Sequence, residues 1–300
     1  MPDTATLGPG FRVGHWTAPG GETGCTVILP PPGNVASYDI RGSSPGSREL
    51  ASLDLQRQRT EIHGLLFTGG SAFGLAAADG VMRWLEEHGI GFRTPVATIP
   101  IVPAAVIFDV AAGMASVRPG PDAGYAACDA ATGDAIPTGR VGAGAGATVG
   151  KWAGHEHLVP GGLGAANATD GDLSVSALVV ANPFGDVIGT DGSVLAGTRN
   201  PSPAYRPPPA TPETAWDNTV LVVVATNATL SKPDVGFLAA RASDGVTRAV
   251  RPAHTRYDGD IAFAIAAAAT ETKTATNADL DRLAVLASEA TAAAIRAAVR

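Results

Sequence analysis

Cysteine is scarce in this chain, with Cys25 and Cys128 the only two in 300 residues. Their spacing matches no metal-binding or redox pattern, so both read as buried free thiols. Charge is also thin: 16% of residues are charged, against about 25% in an average soluble chain. With 45% hydrophobic residues, disorder, collagen and coiled coil are excluded, and a sizeable core is affordable at this length. The 28 acidic and 21 basic residues leave a net charge of −7. No basic run accompanies them, which argues against a phosphate-tracking surface and a nucleic-acid partner. No apolar stretch approaches the ~20 residues of a membrane helix. The opening MPDTATLGPG lacks the regions of a signal peptide, so no membrane partner and a cytoplasmic location are expected. Aromatic residues make up only 5% while alanine is abundant, which points to helices and sheets in close contact through small side chains.

Short β-branched runs bounded by glycine and proline predict strands over 25–29, 64–68, 174–181, 186–189 and 219–226. Residues 71–88 read as a helix, with Phe73, Leu75, Ala78, Met82 and Leu85 on one side and Gly89 at its end. A second helix is expected from Ser231, a plausible N-cap with Pro233 and Asp234 in the first turn, to about 250. A third spans 278–299, with Leu280, Leu283, Ala287, Ala290, Ala294 and Ile295 at helical spacing. Grouped rather than alternating elements favour a layered α+β architecture over a doubly wound one.

The stretch 197–218, GTRNPSPAYRPPPATPETAWDN, is too rich in proline to join a central strand and reads as an extended surface linker. The β-prone TVLVVVAT follows directly, so the polar tripeptide Asp217-Asn218-Thr219 stands where linker meets strand.

Several motifs fail on detail. The run 142–151, GAGAGATVGK, has Ala145 where a Walker loop needs glycine and Trp152 where it needs Ser or Thr. Its glycines read instead as permitting close backbone approach, in a packed helix or around a site, and as delivering Lys151 to a definite place. His155-Glu156-His157 lacks a third ligand nearby and reads as a solvated loop; no metal and no cofactor are expected. Around Ser71, Phe73 occupies the second glycine of a G-x-S-x-G elbow, so 69–74 reads as a tight strand-to-helix turn. Such a turn can still supply backbone N–H groups to a site.

The last third holds the candidate chemistry. Thr219 opens a hydrophobic strand, Asp258-Gly259-Asp260 precedes the apolar run 261–269, and Asn182-Pro183 ends another strand. A threonine hydroxyl becomes a useful nucleophile when a base takes its proton, and a free N-terminal amine on the same residue is such a base. That requires cutting the chain before Thr219; a hydroxyl residue opening an ordinary strand is the plainer alternative.

Six blocks appear in order along the chain: GGSAFGLAAADGVMRW (69–84), PIVPAAVIFDV (100–110), VGAGAGATVGK (141–151), ALVVANPFGDV (177–187), DNTVLVVVATNA (217–228) and RPAHTRYDGDIAFA (251–264). Together they resemble the L-aminopeptidase/D-amino-acid esterase family of self-cleaving, N-terminal-nucleophile hydrolases, which includes β-aminopeptidases and nylon-oligomer hydrolases. The resemblance implies a four-layer αββα sandwich, a single domain over 1–300, cut at the Asn218-Thr219 bond into a large subunit 1–218 and a small one 219–300. It further implies Thr219 as nucleophile acting through an acyl-enzyme, and Asn182 as an oxyanion donor with N–H groups near Gly70, Ser71, Ala72 and Phe73 as companions. Lys151 would line the site and favour the neutral Thr219 amine, and Asp258 and Asp260 would hold the nucleophile's hydroxyl or amine. As two carboxylates separated by one glycine, both could face Thr219 on an extended chain, although D-G-D is also a common turn.

Some polymer-amide relatives place a tyrosine where this chain has Phe108. Substrates therefore remain small peptides, amino-acid amides or esters, or ω-amino-acid oligomers of the nylon type. Self-association into a tetramer or larger ring is expected by the same resemblance. The alternative is a processing-deficient or inactive binding protein on the same fold.

Overall fold

A computed structural model describes residues 5–110, 116–203, 218–267 and 275–300. Ten strands build two sheets: β1 (Arg12–Thr17), β2 (Gly24–Leu29), β3 (Val35–Ile40), β4 (Ser47–Arg48), β5 (Leu65–Thr68), β6 (Ala104–Val106), β7 (Gly162–Asp170), β8 (Leu173–Asn182), β9 (Thr219–Thr226) and β10 (Ile261–Ala266). The first sheet runs β1-β2-β5-β6-β4 and the second β7-β8-β9-β10-β3. Each is antiparallel except for one central parallel pair, β5 with β6 and β9 with β10. Among the described residues four helices cover them: α1 (Ala77–Glu87), α2 (Pro121–Asp129), α3 (Lys232–Thr247) and α4 (Asn277–Ala297).

The layers follow from strand alternation. In β9, Leu221, Val223 and Ala225 join Ile28, Phe67, Val180 and Phe263 in the core between the sheets. Val220, Val222 and Val224 face the other way, onto Leu238, Ala242, Leu286 and Ala290 of α3 and α4. On the outer face of the first sheet, Val27 and Leu66 meet Val81, Leu85 and Ala127 of α1 and α2. The order is helices, sheet, sheet, helices, the αββα sandwich that the resemblance implied. Because β9 is buried on both faces, it reads as an unbroken apolar run.

All five predicted strands are present within one or two residues. The predicted 71–88 helix instead divides into a 3₁₀ segment, Ser71–Ala76, and α1. Three residues per turn shift the phase of the side chains, and Phe73, expected on the apolar side, stands 62% exposed. Helix α3 stops at Thr247, short of 250, because Val250 and Arg251 pair with Val187 and Asp186. Its Ser231 hydroxyl accepts from Asp234 N as the N-cap.

Strands β1, β3, β4, β6, β7 and β10 and helix α2 lie outside the sequence-based expectations. Strand β7, GLGAANATD, is built of small residues because α4 lies against it: a Cβ on Gly164 would sit 2.0 Å from Ala294 O. Likewise α1 and α2 cross through Gly80 and Gly124, whose added Cβ atoms would lie 1.7 Å from Pro121 O and 2.0 Å from Ala77 O. Most of the proline-rich linker, 204–217, lies outside the described residues. Among the described residues no helix is long and apolar enough to cross a membrane.

Candidate active site

Topology brings the candidate residues to one end of the sandwich. Asn182 closes β8 in register with Thr219, which opens β9. The parallel neighbour β10 starts at Ile261, so the D-G-D segment just before it lies beside Asn218 and Thr219, with Asn218 and Asp258 forming a parallel bridge. From the first sheet, the exits of β5 and β6 supply the turn at Ser71 and the residue Phe108. The loop after β3 folds onto the D-G-D backbone: Arg41 N and Gly42 N donate to Asp260 O, and Ser44 N to Asp258 O.

A cleft of about 260 Å³ opens between these segments, lined by Ser44, Pro45, Gly46, Ser71, Ala72, Val106, Phe108 and Thr219. Thr219 is buried. Its hydroxyl donates to the carbonyl oxygen of Asn218 in a short contact. The same oxygen accepts the N–H of Gly259 at 2.9 Å. The side-chain amide of Asn218 is buried, and among the described residues neither its oxygen nor its nitrogen is hydrogen-bonded.

Lys151 is delivered as the glycine reading anticipated. The glycine run is a packed 3₁₀ turn whose Gly144 has Leu163 N 2.2 Å from its notional Cβ, followed by Gly150 at φ 77°. Lys151 is fully buried, and its Nζ donates to both the main-chain and side-chain oxygens of Asn182 at 3.0 Å. Thr148 N also donates to Asn182 Oδ1, at 2.9 Å. With its oxygen held on that side, the amide turns Nδ2 the other way, where it donates to Phe108 O at 3.3 Å beside the cleft.

The two carboxylates diverge rather than both facing Thr219. Asp258 turns back on its own segment, accepting from Thr255 N and Oγ1, and from Phe184 N. Asp260 accepts from Val220 N at 2.7 Å through Oδ1 and from His254 Nδ1 at 2.7 Å through Oδ2. The reason is a compact turn at 255–258 where an extended chain would have aligned them. Burial, and then the charge of Asp260, push the Asp258 carboxyl up to about 6 despite its hydrogen bonds.

On the other wall, Ser71 and Ala72 reach the cleft, but Gly70 N donates to Asp109 Oδ1 and Ser71 N to Ile107 O. Those two N–H groups are committed, which narrows the candidate donors on this turn to Ala72 and Phe73. The Phe73 ring points outward under Arg118, whose guanidinium carbon lies 3.7 Å from its centroid. Ser71 holds φ 54°, a backbone conformation unusual for a residue with a Cβ. His155, Glu156 and His157 form a surface 3₁₀ turn. Among the described residues no cluster of three or more His, Cys, Asp or Glu could hold a metal. Sequence reasoning missed His254, Gly259 as a main-chain donor and the loop 41–46; only the block that contains the first two hinted at them.

The sequence matches Peptidase family S58 over residues 8–300. It is 43% identical over 289 residues to an uncharacterized aminopeptidase of Mycobacterium leprae (strain TN), covering 87% of this chain and 78% of that one. A 6-aminohexanoate-oligomer endohydrolase of Paenarthrobacter ureafaciens is 32% identical over 270 residues, with 86% and 73% covered. Among solved structures, the L-aminopeptidase D-Ala-esterase/amidase of Ochrobactrum anthropi, described as a variant of the Ntn hydrolase fold, superposes with a TM-score of 0.75 at 20% identity, covering 99% of this chain and 86% of that chain.

Proposed function

The chain belongs to peptidase family S58, and from that premise we propose that it is a self-processing amide and peptide hydrolase whose nucleophile is Thr219, freed by cleavage of the Asn218-Thr219 bond. The observation that carries this reading is the shared oxygen of Asn218, which meets the Thr219 hydroxyl on one side and the Gly259 N–H on the other. A hydroxyl lying against the carbonyl that precedes it supports a reading in which that bond undergoes an N-to-O shift.

In the precursor, Thr219 Oγ bonds to the Asn218 carbonyl carbon while the carbonyl electrons move onto an oxygen that Gly259 N–H stabilises. Collapse breaks the C–N bond, and the Thr219 nitrogen takes up the proton that Oγ releases. Water hydrolyses the resulting ester, leaving an Asn218 carboxylate and a free Thr219 amine and hydroxyl. In the mature enzyme that amine is the general base, Oγ attacks a substrate amide or ester, and water releases the acyl group. Asn182, its Oδ1 held by Lys151 and Thr148, supplies an oxyanion donor through Nδ2. Lys151 thus acts through Asn182 as well as by charge.

Small peptides and amino-acid amides or esters are the favoured substrates. The nylon-type oligomer of the Paenarthrobacter relative stays second, because Phe108 offers the cleft a hydrocarbon face without a hydroxyl. Assembly into a homo-oligomer belongs to the same proposal.

Intact mass spectrometry tests the reading. The purified protein should resolve into fragments 1–218 and 219–300, and Thr219→Ala should remain whole and inactive toward amino-acid anilides. A wild-type chain that stays full length at all ages, or a Thr219→Ala chain that is still cut, would overturn it.

A further inference from the structure

His254 lies between the Val250–Arg251 strand and the D-G-D segment, at φ 51°. Both of its ring nitrogens face oxygen acceptors: Nδ1 is 2.7 Å from Asp260 Oδ2, and Nε2 is 3.1 Å from Ser243 O on α3. A carbonyl can only accept, and so can an ionised carboxylate, so two satisfied contacts require a proton on each nitrogen. The ring is therefore held as an imidazolium. Beyond it, the other oxygen of Asp260 accepts the N–H of Val220, the residue directly after Thr219. A hydrogen-bonded chain thus runs from α3 through His254 and Asp260 to the first peptide of β9.

We propose that His254 is a positioning residue of the Thr219 site: its imidazolium clamps Asp260, and Asp260 in turn fixes the strand end that carries the nucleophile. This rests on the reading of Thr219 given above. The titratable groups facing the ring are Asp260 and, further off, Asp258, while α3 presents a main-chain carbonyl. Burial by itself would lower the imidazole, but the hydrogen bond and charge of Asp260, the Ser243 carbonyl and the charge of Asp258 together raise it above 6.5. The clamp is accordingly in place below that raised value and is lost as pH rises through it. One ring nitrogen then becomes an acceptor facing an acceptor, and Asp260 is left without its counter-charge.

The test compares His254→Gln with the wild type by turnover of an amino-acid anilide from pH 6 to 10. At pH 6 the variant should show kcat about 10- to 100-fold lower, the scale of a misplaced nucleophile, with KM within about twofold. The two kcat curves should converge at alkaline pH, where the wild type loses its own cation. A wild-type to variant ratio of kcat that is unity, or constant across the range in folded protein, would overturn the proposal. Because His254→Gln can fail to fold, ¹⁵N-histidine NMR of the wild type is the second measurement. One ring should stay doubly protonated above pH 6.5; if every histidine deprotonates at or below that value, the clamp does not exist. Retained turnover in Thr219→Ala would instead remove the nucleophile reading, so the two failures are separable.

Discussion

Gly259 N–H and the carbonyl oxygen of Asn218 are hydrogen-bonded at 2.9 Å, and no other residue type fits where Gly259 stands. An added Cβ would lie 2.6 Å from Ser44 O and 2.9 Å from Thr219 Oγ. The first is backbone and cannot yield cheaply; the second is the proposed nucleophile.

Gly259→Ala should therefore displace the Thr219 hydroxyl without removing the main-chain donor. Displacements of about 1 Å can lower such rates by about 100-fold. The time course of fragment appearance after synthesis, followed by denaturing electrophoresis, should slow by at least tenfold. Processing at the wild-type rate would mean that the Gly259 contact has no part in the cleavage.

Asn182 and Lys151 should behave as a unit. Losing an oxyanion donor typically lowers kcat by about 100- to 1000-fold, so Asn182→Ala should fall in that range. Lys151→Met removes the ammonium that holds Asn182 Oδ1 at 3.0 Å and should lower kcat in the same direction. If Lys151 works mainly through Asn182, the double variant is no slower than the worse single one. Multiplying effects in a double-mutant cycle would show that the ammonium acts on the Thr219 amine independently of Asn182.

These contacts also explain what was legible beforehand. Strand β9 could be read because burial of both faces demands an unbroken run of apolar, mostly β-branched residues. Strand β7 could not, since its glycines and alanines answer to the close approach of α4, which lies over a hundred residues further on. At the site, Thr219 stood out through its position between linker and strand. Asn182, Lys151, Asp258 and Asp260 needed the family resemblance, and local spacing alone could not decide between an extended D-G-D segment with both carboxylates toward Thr219 and a turn. Gly259 contributes a main-chain N–H that any residue but proline carries, so side-chain identity could not announce it. His254 works through contacts to Asp260 and to α3 that exist only once the helix has docked.

The cysteines offer a simple check on packing. Both are buried, and burial pushes each thiol up to about 12, helped by the charge of Cys128 at Cys25 and of Asp129 at Cys128. Thiolate is the reactive form. Native protein at pH 8 should leave both thiols unreacted with a disulfide reagent such as DTNB over many minutes, and both should react at once in concentrated guanidinium chloride. Prompt reaction of the native protein would contradict the tight contact between the first sheet and α1 and α2.

Asp258 makes a pH-dependent contribution whose sign can be worked out. Burial and the charge of Asp260 raise its carboxyl from 3.8 to about 6, so the folded chain holds that proton more tightly than the unfolded one. The stabilisation is fully present below 3.8 and is lost as pH rises through about 6. A shift of this size corresponds to about 3 kcal/mol at most. Asp258→Ala lacks the effect, so its deficit in urea-unfolding stability relative to the wild type should be larger at pH 4 than at pH 7.5. The remaining deficit at pH 7.5 measures the bonds to Thr255 and Phe184, which the ionised carboxylate still accepts. A deficit that grows with pH would mean that Asp258 is favoured as an anion in the fold.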